Sequence, residues 1–372
     1  MTRRGRFSLG IAAEELRTLA PRRICLIKPS ALGDVVQTLP LLPVLKSVYP
    51  DAEISWVISR ELRGLIDGHP DLTEVIPFHR KGSAGDWLTL FQTLMAGRFD
   101  LTIDLQGLLR SAAMTLATDA AVRVGLETAR EGAHLTVNCT IPNSSRQVPA
   151  HARYWRLADV LGQGSRTQLA QIVVSSADDE WAEQQVANLP QPLLAVHPGA
   201  RWETKRWPVE KFAQLTAQAV RRWGAGVLIL GSPAERPDAD LLTQQLAALV
   251  PDACVRNLAG QSTLKQLTAL LRRADLAISN DSGPMHLAAG LGVPTLGIFT
   301  CTSAVLSGPP GAMHELVSTQ VACAASYRNV CPHAGSQRMC CLQELTVERV
   351  WQGLQRLVQR HHLAGDRSVR AA

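Results

Sequence analysis

The sequence predicts an α/β chain of two doubly wound units, each a parallel sheet with helices on both faces. Three observations predict it. Short strand-like apolar runs alternate with amphipathic runs at helical spacing. That rhythm stops in a polar stretch and then restarts. The length, 372 residues, suits two domains at roughly 150 residues each. Strand–helix alternation with short loops implies parallel pairing, because each crossover must carry a helix.

The elements follow in order. Residues 24–28 (Ile-Cys-Leu-Ile-Lys) read as a buried strand. Residues 33–48 carry Val35, Val36, Leu39, Leu42, Leu45 and Val48 at helical spacing. Strands come next at 54–58, 74–77 and 101–105, with a helix at 85–96 before the last. Residues 163–192 are polar and end Leu-Pro-Gln-Pro, as a linker does. The second half opens with strand 193–197 and helix 208–223, with Pro208 in its first turn, where Pro is tolerated. Strand 226–230, helix 236–249, strand 275–279, helix 283–290 and strand 294–299 continue the pattern. A long helix at 346–360 belongs to one unit or bridges both. The expected division is a basic extension (1–22), two units (23–175 and 190–345), and a C-terminal helix with a basic tail (346–372).

Composition narrows the function. Apolar residues are 46% and charged residues 19%, ordinary for a packed globular chain. No apolar run approaches the ~20 residues of a membrane span. The longest candidate, 287–299, is interrupted by Gly290, Gly292, Pro294 and Gly297. Arg3, Arg4 and Arg6 are not followed by an apolar core or cleavage site, so no signal peptide is expected. The net charge, 38 − 32 = +6, admits a nucleic acid, an anionic membrane or a phosphorylated substrate as partner. Much of the excess is terminal: six Arg in residues 1–23, then Arg356, Arg360, Arg367 and Arg370, read as solvated tails. With three Tyr, six Phe and no basic-aromatic motif, no nucleic-acid partner is expected.

Four segments carry chemistry, each just after a strand or opening a helix. The first is Lys28-Pro29-Ser30-Ala31-Leu32-Gly33-Asp34, a small-residue loop that exposes backbone N–H groups. It lacks the Gly-Lys-Ser/Thr ending of a P-loop and the Gly-x-Gly-x-x-Gly of a dinucleotide fold. Asp34 reads either as a helix cap or as a general base, the latter needing apolar burial to offset the helix dipole. The second is His197 to Pro208, with Arg201, Lys205 and Arg206 within six positions. Between a strand and a helix start, such a cluster suits phosphate, and Lys205 leads. The third is the turn Gly231-Ser232-Pro233-Ala234-Glu235. Glu235 either accepts ribose hydroxyls or charges the next helix start. The fourth is Ser279-Asn280-Asp281-Ser282-Gly283-Pro284-Met285-His286, a well-capped helix start that also suits an anion. His286 sits one turn in, facing the site or the core.

Taken together, these pieces resemble the bacterial ADP-heptose:lipopolysaccharide heptosyltransferases (glycosyltransferase family 9, GT-B fold). The resemblance rests on Ile27–Pro40, Ile103–Ala112, His197–Pro208 and Asn280–Ala289, in order, across about residues 23–352. It implies two Rossmann-like units facing a central cleft, the N-terminal one for acceptor and the C-terminal one for the nucleotide sugar. It implies Asp34 as catalytic base and Lys205 as partner of the donor diphosphate. Arg201, Glu235, Asp281, Ser282, Gly283 and His286 join Lys205 on the donor side. Gln106 and Arg110 fall on the acceptor side. The implied reaction inverts the anomeric centre and uses no metal and no resident cofactor. Its donor is ADP-heptose and its acceptor a Kdo–lipid A or other inner-core glycan. The implied location is the cytoplasm, peripheral to the anionic inner face of the inner membrane. Two alternatives stay open: a GT-B enzyme with another nucleotide-sugar donor, or a non-catalytic sugar-nucleotide-binding relative. The presence of both Asp34 and Lys205 argues against the second.

Eight Cys are too few for a disulfide scaffold. Cys25, Cys139, Cys254 and Cys301 lie in apolar stretches and read as inert core thiols. Cys323, Cys331, Cys340 and Cys341 cluster around His333, in a Cys-rich loop like that of some family members. The spacing is not a clean zinc pattern, so free thiols or a disulfide are expected rather than a metal.

Overall fold

The computed structural model describes residues 11–164 and 169–363. Arg3, Arg4, Arg6, Arg367 and Arg370 of the basic ends lie outside them. The chain forms two compact units that divide between Val173 and Val174.

The first unit holds six parallel strands: β1 (Arg23–Ile27), β2 (Glu53–Ser59), β3 (Glu74–Phe78), β4 (Leu101–Asp104), β5 (Val122–Leu126) and β6 (Cys139–Ile141). Their order is β3-β2-β1-β4-β5-β6. β1 lies between β2 and β4, and Ile24, Cys25, Leu26 and Ile27 are wholly buried, as a strand covered on both faces must be. The helical run at 33–48 is two helices, Leu32–Thr38 and Leu41–Val48. Pro40 separates them, because it cannot donate to the preceding turn and its ring crowds that turn's carbonyl. Helix Ala150–Val160 packs on both. The Trp155 indole N–H donates to the Gln37 carbonyl at 3.0 Å, and that of Trp56 to the Lys28 carbonyl at 3.2 Å.

The second unit repeats the plan with β7 (Leu193–His197), β8 (Gly226–Ile229), β9 (Val255–Asn257), β10 (Leu276–Asn280), β11 (Thr295–Phe299) and β12 (Glu315–Ser318). The order is β12-β11-β10-β7-β8-β9, again all parallel. Its core gathers Val196, Trp207, Phe212, Val227, Ile278 and Leu354. Pro208 stands at the N-cap of helix Val209–Trp223, one position before the first turn.

Two expectations are corrected here. The stretch 163–192 is not all linker: it contains helix Ser176–Val186. Only Ala182 of that helix is buried, so it shows no apolar stripe in the sequence. Ser175 Oγ accepts the Asp178 N–H, and Arg273 clasps Asp179 at 2.7 and 3.0 Å. Nor are all the terminal arginines solvated. Arg17 donates to the Val160 carbonyl, and Arg356 and Arg360 hold Glu315 at 2.7 and 2.9 Å. These last contacts fasten helix Val347–His361 to the second unit, where Trp351 also stacks on Trp223 at 5.0 Å.

Candidate active site

Open parallel sheets bind ligands beyond the carboxyl ends of their strands. In the second unit the basic loop leaves β7 at His197. Asn280, the last residue of β10 and fully buried, holds that loop at both ends. Its Nδ2 donates to the Pro198 carbonyl at 2.6 Å, and its Oδ1 accepts the Trp207 N–H at 3.1 Å. The Trp207 indole is anchored in turn on the Leu345 carbonyl at 2.8 Å.

The three cations of the loop go separate ways. Lys205 Nζ lies 2.7 Å from Asp281 Oδ2 and 4.7 Å over the Trp202 ring. Arg206 donates to the Ala200 carbonyl at 2.7 Å and pairs with Asp238 at 3.6 Å. Arg201 is exposed and pairs with no acid among the described residues. Asp281 is buried and also accepts from Thr302 Oγ at 2.6 Å, while His286 Nε2 stands 3.7 Å from its other oxygen. Burial works to raise the Asp281 pKa, but His286 and Lys205 outweigh it and hold the carboxyl far below the usual range.

Asp281 and Ser282 are natural caps in sequence, yet neither side chain caps helix Gly283–Gly290. Ser282 occupies the N-cap without a capping hydrogen bond. Its Oγ turns instead to His197 Nδ1 (3.2 Å) and Ser279 Oγ (3.0 Å). Pro284 does sit in the first turn. Among the described residues this helix start, beside Lys205's partner, therefore has no N-cap side-chain bond, and its amide dipoles are available to a negative group.

Glu235 does not cap helix Arg236–Leu249 either. Its Oε2 accepts the Ser232 N–H and Oγ–H, both at 2.8 Å, and faces His197 Nε2 at 3.3 Å. A Cβ at position 199 would lie 2.2 Å from Glu235 Oε1, so only Gly199 permits this approach. Burial raises the Glu235 pKa, but His197 and the Ser232 donors prevail and bring it down to about 2.

In the first unit Asp34 takes the helix-start position that the sequence allowed, with further partners on its carboxylate. Its Oδ2 accepts the Ala31 N–H at 3.1 Å, which closes the helix start. Its Oδ1 accepts the Tyr154 hydroxyl at 2.8 Å, and Lys28 Nζ lies 3.7 Å from Oδ2. The apolar burial expected of a base is absent, since the Asp34 side chain is 35% exposed. Charge and hydrogen bonds hold it instead, as an oriented anion. Burial lowers the Lys28 pKa against the pull of Asp34, and Nζ sits 4.8 Å over the Tyr154 ring. Burial, and then the Asp34 charge, keep the Tyr154 phenol protonated as a donor. Gln106 Oε1 accepts the Ser30 N–H at 3.3 Å, which ties the loop after β4 to the loop of Asp34. Buried Asp104 shapes that second loop by accepting from Gln106, Gly107 and Ser111. Arg110 lies half-buried in the first turn of helix Leu109–Ala117, without an ion pair among the described residues.

The structure thus gathers Lys205, Asp281 and His286 into one cluster, and Glu235 and Ser282 into another that meets it through adjacent residues. Gly283 opens the helix between them. Sequence reasoning gave no role of their own to His197, Ser279 and Asn280, although they lie within the chosen segments, and it passed over Thr302. His197 and Asn280 each end a strand where a chosen loop begins, which was the available signal. Tyr154 lies 120 residues from Asp34 and gave none. All eight cysteines are free thiols, and Cys254 is exposed, not in the core as expected. Burial first, and then neighbouring Cys340, raise the Cys323 thiol pKa, and Cys331 Sγ accepts the Met339 N–H at 3.4 Å. Among the described residues no three His, Cys, Asp or Glu side chains are placed to hold a metal, and no helix is long and apolar enough to cross a membrane.

The chain is similar over most of its length to known proteins. It is 28% identical to the lipopolysaccharide core heptosyltransferase OpsX of Haemophilus influenzae, covering 82% of this chain and 86% of that one. It is 29% identical to lipopolysaccharide heptosyltransferase 1 of Pseudomonas aeruginosa, covering 84% and 88%. The fold matches E. coli ADP-heptose lps heptosyltransferase II with a TM-score of 0.71 at 23% identity, over 91% of this chain and 99% of that one. This agrees with the two doubly wound units and with the GT-B expectation. The profile of glycosyltransferase family 9 (heptosyltransferase) matches residues 87–336, two thirds of the chain. The chain is accordingly a glycosyltransferase, and it belongs to glycosyltransferase family 9, the heptosyltransferases.

Proposed function

We propose that this enzyme transfers heptose from ADP-heptose to an inner-core lipopolysaccharide acceptor, with inversion and without a metal or resident cofactor. One observation carries the donor side: the Lys205 ammonium, held by Asp281, beside the uncapped start of helix Gly283–Gly290. That pairing suits a departing diphosphate, whose charge would meet the cation and the helix dipole. Glu235 would receive the ribose, and Arg201, Ser282, Gly283 and His286 complete the donor set. Asp34, oriented by Tyr154 and Lys28, would take the proton of the attacking hydroxyl. Gln106 and Arg110 serve the acceptor. The Haemophilus and Pseudomonas relatives, named as lipopolysaccharide heptosyltransferases, support the choice of sugar and acceptor. The location proposed is cytoplasmic, with peripheral attachment to an anionic membrane favoured by the net charge of +6.

Calorimetric titration with ADP, UDP and GDP in the presence of a chelator tests the donor. Selective ADP binding that Lys205→Ala weakens is expected. A preference for UDP or GDP would keep the fold and replace the donor. Loss of turnover on chelation, restored by a divalent ion, would overturn the metal-free route. Co-sedimentation with anionic but not neutral vesicles tests the membrane attachment.

A further inference from the structure

His197 ends β7 at the centre of the second sheet, buried between two groups assigned to the donor. Its Nε2 lies 3.3 Å from Glu235 Oε2, and its Nδ1 lies 3.2 Å from Ser282 Oγ and 3.3 Å from Ser279 Oγ. A carboxylate only accepts, so Nε2 carries the hydrogen of the first contact. Glu235 Oε2 thus receives three donors: the Ser232 N–H, the Ser232 hydroxyl and the His197 ring. Glu235 Oε1 receives none among the described residues. It stands over Gly199, where a Cβ would come within 2.2 Å. Both Ser232 donors come from the turn that carries Glu235, so they hold one oxygen while the carboxylate can still swing about it. The His197 donor comes from a different strand and removes that freedom.

We propose that His197 is a positioning residue for nucleotide recognition: it fixes the Glu235 carboxylate so that Oε1 accepts a ribose hydroxyl, and so selects ribonucleoside over deoxyribonucleoside diphosphates. The proposal rests on the reading of Glu235 as the ribose partner. A side chain that merely fills space at this position would affect all nucleotides alike. A positioning residue changes the ratio between them, because a carboxylate free to turn toward water no longer meets the hydroxyl in one geometry. The bond from Nδ1 to Ser282 also ties the ribose side of the site to the helix start that would hold the diphosphate.

The test is calorimetric titration of the full-length enzyme with ADP, 2′-deoxy-ADP and 3′-deoxy-ADP. The wild type should favour ADP over at least one deoxy analogue by roughly tenfold or more, the size of a hydrogen bond to a charged group. Glu235→Gln should erase most of that preference. His197→Asn keeps an amide near the serines but cannot reach Glu235. It should bring the ratio to within about threefold of unity, leaving affinity for the disfavoured analogue unchanged. His197→Gln, whose longer amide can replace the Nε2 hydrogen, should restore most of it. Melting curves of both variants establish that they fold. A full ADP preference in His197→Asn, alongside its loss in Glu235→Gln, would overturn the proposal and spare the ribose reading. No preference in the wild type would overturn the ribose reading, and this proposal with it.

Discussion

Lys205 Nζ and Asp281 Oδ2 meet at 2.7 Å, one from the loop after β7 and the other from the end of β10. The acid is buried, so the two sites depend on each other. Lys205→Ala removes the cation offered to a diphosphate and leaves Asp281 without its nearest counter-charge. ADP affinity should fall about 10- to 100-fold, as expected for a charge-assisted hydrogen bond of about 1.5–3 kcal/mol. The melting temperature should fall too. Adding Asp281→Asn should recover the melting temperature but not the affinity. Recovery of both in calorimetry would deny Lys205 a direct part in binding.

Asp34 is held from two sides, by Tyr154 on Oδ1 and by Ala31 and Lys28 on Oδ2. Asp34→Asn preserves the shape and removes the proposed base. Turnover should drop about 10²- to 10⁴-fold, the range for general-base catalysis, with ADP affinity unchanged. Tyr154→Phe should cost less, roughly tenfold, because it removes one orienting bond and leaves the carboxylate. Single-turnover rates with a verified acceptor decide this. An Asp34→Asn enzyme with normal turnover would place the base elsewhere.

Glu235 has its folded pKa drawn down from 4.5 to about 2 by His197 and Ser232 against the effect of burial. A depressed carboxyl stabilises the folded state fully above its unfolded value. That contribution is lost as pH falls through the folded value. Between pH 4.5 and about 2 the wild type should lose stability more steeply than Glu235→Gln. Denaturant midpoints measured across that interval test it, and parallel slopes would deny that Glu235 is held ionised.

Asn280 bonds both ends of the basic loop from a fully buried position. Asn280→Ala leaves the Pro198 carbonyl and the Trp207 N–H without that partner. The expected loss is about 1–3 kcal/mol, since buried polar groups left unpaired lose their full desolvation cost. Thermal melts should show it, together with weaker ADP binding as Lys205 loses its frame. Unchanged melting would mean that the loop is held by Trp207 packing alone.

The alternation of β1, β2 and β4, and then of β7, β8, β10 and β11, was legible because strands buried on both faces are nearly continuous apolar runs, and the edge strand β3 was legible from its short run Val75-Ile76 before Pro77. β5, β6, β9 and β12 were not legible. Each lies toward or at a sheet edge, and Val122-Arg123-Val124-Gly125-Leu126 or Val255-Arg256-Asn257 offers no such run. Helix Arg236–Leu249 was read to the residue, whereas the break at Pro40 was missed under an unbroken apolar stripe. The candidate loops could be chosen because Gly, Pro, Ser and charged residues stand directly after apolar runs.

The class of fold, the family, and the loops on which Asp34, Lys205, Glu235 and Asp281 lie can all be read along the chain. Those are local matters: periodicity, turn chemistry and the types of residue at strand ends. Which partner each charge takes is set by the folded chain. Asp281 binds Lys205 across 76 residues instead of capping its own helix. Glu235 turns to His197 across 38 residues, and Tyr154 reaches Asp34 across 120. A buried charge is stable only beside an opposite charge or a donor, and in a parallel sheet adjacent strands are joined by long crossovers, so those partners are distant in sequence and close only in the fold.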